Sequence, residues 1–345
     1  MRNAFGQDFD VPDAYLNTAG IGVPPVVAAD AVADAVSGWR TGAGRPGSHD
    51  AAVALARSAY ARLVGVAADR VAIGSTVSGL VSLAAAGLAP RSRVLVSEGE
   101  FTSLTWPLAA RGHELVEAPL AEIGERAAGF DAVAVSVVQS ADGAIADLDA
   151  LRAARGTPSA GGGGRPGTRV LLDATQSAGW FAADLGWADA VVCAGYKWLL
   201  SPRGVAWMAV HPDWELPPEQ AGWYAGEDIW SSIYGLPPRL ASDARGLDTS
   251  PAWYGHAGAA VAVPWLATLD RAAVHAHCAG LGDALRAGLG RRPTGSAIVS
   301  VPAPDAARRL AAAGVACSER AGAARLAFGL YCTADDVAAA LNALT

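Results

Sequence analysis

A lysine and an aspartate standing 24 positions apart carry the most distinctive chemistry in this chain. Lys197 lies in the run Val191-Val-Cys-Ala-Gly-Tyr-Lys-Trp-Leu-Leu-Ser-Pro-Arg-Gly204, and Asp173 closes the apolar run Val170-Leu-Leu-Asp-Ala-Thr-Gln-Ser177. A lone lysine belongs at the surface. One enclosed by apolar neighbours on both sides needs a task. An amine at the end of one strand and a carboxylate at the end of another can grip the two ends of one cofactor. The amine condenses with an aldehyde, and the carboxylate keeps a pyridine nitrogen protonated so that the ring can act as an electron sink. Pyridoxal 5'-phosphate (PLP) needs that pair.

The elements that must position these two residues alternate along the first two thirds of the chain. Strand-like runs fall at 70–74, 93–97, 132–138, 169–173, 190–194 and 205–210, and alanine-rich helical stretches at 25–40, 51–63, 78–88 and 148–155. This alternation predicts an α/β fold with a mostly parallel sheet covered on both faces. Ligands of such sheets sit at the carboxyl ends of the strands, where Gly74, Asp173 and Lys197 are placed. The Gly/Pro-rich stretch 156–168 precedes a strand instead of opening a helix, so it reads as a surface loop and not as a phosphate cradle. The stretch 216–240, rich in Pro, Trp and Gly, reads as an irregular excursion. A long helical pattern starts near Ser250, followed by a smaller unit with strands near 297–301 and 325–328. No internal repeat is evident.

Composition excludes several classes of function. The chain has 345 residues and a formal net charge of −7, with no basic block, which argues against nucleic acid or an anionic membrane as partner. The first ten residues contain no apolar core of a secretory signal. The longest apolar stretch, 257–269, is interrupted by Gly258 and Pro264, which fits a buried helix start better than a membrane span. Four scattered cysteines (Cys193, Cys278, Cys317, Cys332) without a C-x-x-C read as reduced thiols of a cytoplasmic protein. His275 and His277 point to different faces of a helix, so no metal site is expected. Nine of the eleven tryptophans lie between Trp180 and Trp265, which suits core and dimer packing first and an aromatic pocket second.

Further motifs stand in a fixed order around the Lys–Asp pair: Tyr15-Leu-Asn-Thr-Ala-Gly20, Ile73-Gly-Ser-Thr-Val-Ser-Gly79, Ser97-Glu-Gly-Glu-Phe-Thr-Ser103, Ser136-Val-Val-Gln-Ser-Ala-Asp-Gly143, Leu247-Asp-Thr-Ser-Pro251 and Arg325-Leu-Ala-Phe-Gly-Leu-Tyr-Cys-Thr333. Together they resemble the class V aminotransferase superfamily of fold-type I PLP enzymes, which includes cysteine desulfurases and selenocysteine lyases, kynureninase, isopenicillin N epimerase and the ergothioneine-pathway C–S lyase. The resemblance runs from Tyr15 to about Val337. It implies a large PLP-binding domain over 21–248, and a small α+β domain formed by 1–20 with 249–345.

The resemblance also distributes roles. Lys197 forms the imine and serves as acid and base, Asp173 binds the pyridine nitrogen, and Gln176 lies near the ring oxygen. Ser75 and Thr76, at a strand-to-helix turn whose free amides suit a dianion, hold the phosphate; helix capping by these residues is compatible with that task. Phe101 stands where relatives place a histidine over the ring, so it can stack but not move protons. Gln139 supplies an amide to the phenolic oxygen, at a spacing one residue longer than usual. Tyr196 precedes the lysine where many relatives have histidine, and Ala194 replaces a phosphate-binding serine. Ser250 reaches the phosphate of the neighbouring subunit, which implies a homodimer with shared sites. Arg325 clamps the α-carboxylate of an amino-acid substrate by a bidentate pair, and Asn17 lines the substrate mouth.

Between Gly314 and Arg325 the chain is too short for the loop that carries the nucleophilic cysteine of desulfurases, and Cys317 falls on the preceding strand pattern. Together with Phe101 this favours Cα deprotonation and β-elimination of the C–S lyase type; transamination or epimerisation are the alternatives.

Overall fold

The computed structural model describes residues 1–155 and 167–345. In chain order it contains β1 (Arg2–Ala4), β2 (Gln7–Phe9), α1 (Val26–Arg40), α2 (Asp50–Val64), β3 (Val71–Gly74), α3 (Val77–Ala86), β4 (Arg93–Ser97), α4 (Thr102–Ala110), β5 (Glu114–Ala118), α5 (Leu120–Arg126), β6 (Ala132–Ser136), α6 (Leu148–Ala154), β7 (Arg169–Asp173), β8 (Ala190–Ala194), β9 (Ala206–Val210), α7 (Trp253–Leu266), α8 (Arg271–Gly288), β10 (Ile298–Val301), α9 (Ala306–Ala312), β11 (Ser318–Arg320), β12 (Ala323–Ala327) and α10 (Ala334–Leu344). The Gly/Pro-rich loop expected at 156–168 lies, up to residue 166, outside the described residues.

Seven strands form one sheet in the order β3-β9-β8-β7-β6-β4-β5. The pairs β4–β5, β4–β6, β6–β7 and β7–β8 are parallel, whereas β9 runs antiparallel to both β8 and β3. Only β9 is therefore reversed, and Gly74, Ser97, Ser136, Asp173 and Ala194 all end at one edge of the sheet. The inner strands are apolar without alternation because helices cover both faces. Side-chain alternation divides the core: Ile73, Val133, Leu172 and Val191 pack on one face, and Ala72, Ala134, Leu171 and Val192 on the other with Leu80, Leu83 and Leu104 from α3 and α4. Strand β5 was not anticipated, because Glu114 and Glu117 on an edge break the apolar pattern.

A second sheet, β10-β12-β11, is antiparallel, and α8, α9 and α10 pack against this region. The sequence showed two of its strands; β11 is three polar residues, two of them exposed. Helix α10 starts in a capping box of Thr333 and Asp336, and Asp336 also receives the Arg2 guanidinium at 2.6 Å and the Ala14 amide at 2.8 Å. That network ties the first residues to the last helix. The apolar stretch 257–269 is not a helix start. It fills most of α7, which contains Pro264 near its C-terminal end and packs against α1 and α2.

Candidate active site at the carboxyl edge of the sheet

The common edge of the strands surrounds a cavity of about 160 Å³ lined by, among others, Thr76, Phe101, Asp173, Gln176, Tyr196 and Lys197. Asp173 ends β7, and Lys197 stands three residues beyond the neighbouring β8, so the sheet brings the pair together. Both are buried, at 4% and 6% exposure. The turn holding Lys197 is braced by the opening segment, whose Gly22 amide donates to the Tyr196 carbonyl at 2.9 Å. A Cβ at Gly22 would collide with the Lys197 carbonyl, so only glycine permits this approach.

Among the described residues the Lys197 amine has no hydrogen bond or ion pair; its nearest ring is Phe101, 5.3 Å from the centroid. Burial lowers its pKa to about 8, opposed by the charge of Asp173. Burial also raises Asp173 to about 6, against hydrogen bonds from Thr175, including its amide at 2.8 Å, and the charge of Lys197. A carboxylate and an amine are thus held near each other without closing an ion pair.

Arg325 is stranger still. It is 1% exposed and, among the described residues, has no carboxylate partner. Its Nε donates to Ser318 Oγ at 3.1 Å and its Nη1 to the Ser140 carbonyl at 2.6 Å and hydroxyl at 3.1 Å, while the buried Nη2 has no acceptor. Asn17 bridges to Ala327, two residues along β12 from Arg325, and its buried Oδ1 is also unpartnered. Burial lowers Arg325 to about 10, helped by nearby Arg320. An anion is the group this site lacks.

One of the two glutamines departs from the sequence expectation. The Gln139 side chain does not line the cavity; its Nε2 donates to Glu100 Oε2 at 3.0 Å. Glu100 also accepts from the Ser136 amide and hydroxyl and from the Phe101 amide, so it fixes the base of the site. The tight turn in which the Gly143 amide donates to the Gln139 carbonyl directs Ser140, not Gln139, to the cavity. Gln176 does line the cavity, but its amide is committed: Oε1 accepts the Trp198 indole at 2.8 Å, and Nε2 donates to the Ala19 carbonyl and to Ser140 Oγ, each at 3.1 Å. Because an indole can only donate, the orientation of this amide is fixed. Ser140 Oγ therefore accepts from both Gln176 and Arg325, and its own proton remains to be donated.

Thr76 caps α3 by accepting the Gly79 amide at 3.1 Å, and with Ser75 it faces the cavity. Tyr196 lines the same end. Ser250 is exposed and does not line the cavity of this chain; the preceding Thr249 anchors it to β3 through the Ile73 carbonyl.

No family model matches the chain. Isopenicillin N epimerase of Streptomyces clavuligerus is 29% identical over 239 residues, which span 62% of this chain and 56% of the epimerase. Among solved structures, the cystine C–S lyase C-DES in complex with its product cysteine persulfide superposes with a TM-score of 0.82 at 20% identity, covering 97% of both chains. A variant of that lyase with glycine covalently linked to its PLP cofactor gives 0.83 at 20% identity, covering 97% of this chain and 96% of the other. The cysteine desulfurase CsdA of Escherichia coli gives 0.78 at 19% identity, over 97% and 95%. The chain has the fold of these solved structures.

Within this fold, sequence reasoning missed Ser140, Thr175, Ser103 and Arg203, which line the cavity, and the buried hub Glu100. A signal was available for Ser140, since the extra residue of spacing at Gln139 pointed one position on. The cysteines are all free; Cys193, Cys278 and Cys332 are buried, and burial pushes each thiol up, Cys332 to about 12. Cys317 is half-buried just before β11, with its thiol also raised by burial, and β11 turns into β12 through only Ala321 and Gly322. Among the described residues no group of three or more His, Cys, Asp or Glu could hold a metal, and no helix is long and apolar enough to cross a membrane.

Proposed function

We propose that this protein is a PLP-dependent enzyme of amino-acid metabolism, and that its reaction is Cα deprotonation followed by β-elimination of the C–S lyase type. One observation carries the reading: Lys197 and Asp173 line one cavity, Arg325 is buried beside it against the lining residue Ser140, and among the described residues none of the three is neutralised by an ion pair. Two like charges and one opposite charge kept unpaired have no structural benefit, and they match the aldehyde, pyridine nitrogen and substrate carboxylate of a bound cofactor and amino acid.

PLP, when bound, supplies the electron sink for charge developing at the substrate Cα. The chain supplies the rest. Asp173 would hold the pyridine nitrogen protonated. Lys197, with a pKa near 8, has a substantial neutral fraction close to physiological pH and can take and return the Cα proton. The unpartnered Nη2 of Arg325 would bind the α-carboxylate and so orient the bond to be broken, with Asn17 beside it. Ser140 has the free O–H suited to the phenolic oxygen, positioned by Gln176. Phe101, 41% exposed at the mouth, would cover the ring and exclude water. Thr76 and Ser75 would take the phosphate at the start of α3.

Elimination is preferred over persulfide formation because Cys317 is half-buried and no long loop presents it; likeness to a C–S lyase in fold supports the same choice. Epimerisation is the second reading, favoured by the similarity to isopenicillin N epimerase. We further propose a cytoplasmic homodimer in which Ser250 completes the partner's site, with a large unit at 21–248 and a small one from 1–20 and 249–345. Adding PLP to the wild-type protein and to Lys197→Ala, then a panel of amino acids, tests the enzyme reading by absorption. A visible band in the wild type alone, displaced by one amino acid with release of pyruvate and ammonia, is expected. An inverted isomer without keto acid would replace elimination by epimerisation, and a protein that takes up no PLP would overturn the proposal.

A further inference from the structure

The strand register brings another cation, Arg203, to the cavity that holds Lys197. Gly74 of β3 pairs with Ala206 of β9, and Ala206 also pairs with Ala194 of β8. The chain leaving β3 (Ser75, Thr76) and the chain entering β9 (Arg203, Gly204) therefore share one corner, and all four residues line the cavity. That corner also contains the start of α3, with the hydroxyls of Thr76 and Ser78. Residue 194, which closes the corner from β8, is alanine and offers no donor. The Arg203 guanidinium stacks over the Tyr196 ring at 4.9 Å and, among the described residues, has no hydrogen bond or ion pair. Stacking fixes the plane of the fork and leaves its N–H edge free. The neighbouring Lys197, buried and unpartnered, independently marks this space as one built for a ligand.

We infer that Arg203 is the charge-bearing ligand of the cofactor phosphate, supplying the contact that Ala194 cannot make; this rests on the PLP reading above. The corner then offers a dianion a helix start, hydroxyl donors and one guanidinium. Arg325 is excluded from this task because Ser140 and Ser318 hold it beside β12. The two free arginines divide the ligand: Arg203 takes the phosphate, and Arg325 the carboxylate.

Titration of the apoprotein with PLP and with pyridoxal, which lacks the phosphate, tests the assignment through quenching of tryptophan fluorescence. In Arg203→Ala the dissociation constant for PLP is expected to rise about 10- to 100-fold, the scale of a lost charge-assisted contact. Pyridoxal binding should stay within about twofold. Arg203→Lys, which keeps the charge but not the fork, should fall between. Equal loss for both ligands would mean that Arg203 only supports Tyr196, and unchanged PLP affinity would mean that it faces solvent; either result overturns the assignment. If wild-type protein binds neither compound, the cofactor reading itself fails, an outcome separate from failure of Arg203 alone.

Discussion

The two edges of the seven-stranded sheet treat buried charge in opposite ways. At the amino edge Asp189, 1% exposed just before β8, is fully matched. Its oxygens accept from Arg169 at 2.7 Å, from Arg155 at 3.1 and 3.2 Å and from the Val170 amide at 2.9 Å. At the carboxyl edge Asp173, also buried, accepts among the described residues only from Thr175, and Lys197, in the turn after the next strand, is left unpaired there. The same strands thus close one end as structure and leave the other open for a ligand. A matched buried charge specifies packing; an unmatched one is tolerated only where binding makes use of it.

Both pKa shifts at the carboxyl edge oppose folding near neutrality. Lys197, lowered to about 8, is still largely protonated at pH 7, in the form that burial penalises. Asp173, raised to about 6, is largely ionised there, again the penalised form. The Lys197 cost is present below the pKa of an unfolded lysine and disappears above it; the Asp173 cost appears as pH rises through the carboxylate range toward 6.

The contrast can be broken most severely at its centre. Lys197→Ala should lower turnover by roughly 10³-fold while leaving the melting temperature unchanged or higher. Its counterpart Asp189→Ala should do the reverse, costing about 3–5 kcal/mol in urea unfolding while folded molecules keep their activity. Similar destabilisation in the two variants would erase the distinction between the edges. Asp173→Asn, which keeps the shape and removes the charge, should reduce kcat by roughly 100-fold without loss of thermal stability. A fall in melting temperature would show Asp173 to be structural after all.

Titration sharpens the comparison further. The rate at which apoprotein takes up PLP should climb about tenfold per pH unit and level off above about 8, where the Lys197 amine is neutral. A rate still climbing toward pH 10 would place the amine in water instead of in the cavity. The smallest effect is expected at Cys317→Ser, where product formation should change by about twofold or less. Abolished activity there, with a protein-bound persulfide in the wild type, would move the reaction from elimination to desulfuration.

The site was legible wherever a residue stands at the end of a strand or on the turn that follows it. Asp173, Lys197, Thr76 and Phe101 were readable because a strand, turn and helix in local succession fix which residue reaches the edge. Register beyond the strand was not readable. A one-residue change in the turn after β6 exchanges the roles of Gln139 and Ser140, and only the folded turn shows that the Gln139 amide goes to Glu100. The edge strand β5 was hidden by its glutamates. Nor could a local pattern show that Trp198 and Ala19 occupy the Gln176 amide.

The sequence by itself determined the α/β class, the order of the main strands and the lysine–aspartate pair, because apolar runs and strand-end residues are local signals. Tertiary structure decided which of those groups remain unpaired. In the sequence Arg325 stands between Ala324 and Leu326, and Arg203 between Pro202 and Gly204, with no acidic residue beside either. One becomes a buried fork without a counter-ion, the other a stacked cation at the α3 corner, only when strands distant in the chain are laid side by side. Whether a charge has a partner depends on everything packed around it, and no local pattern contains that.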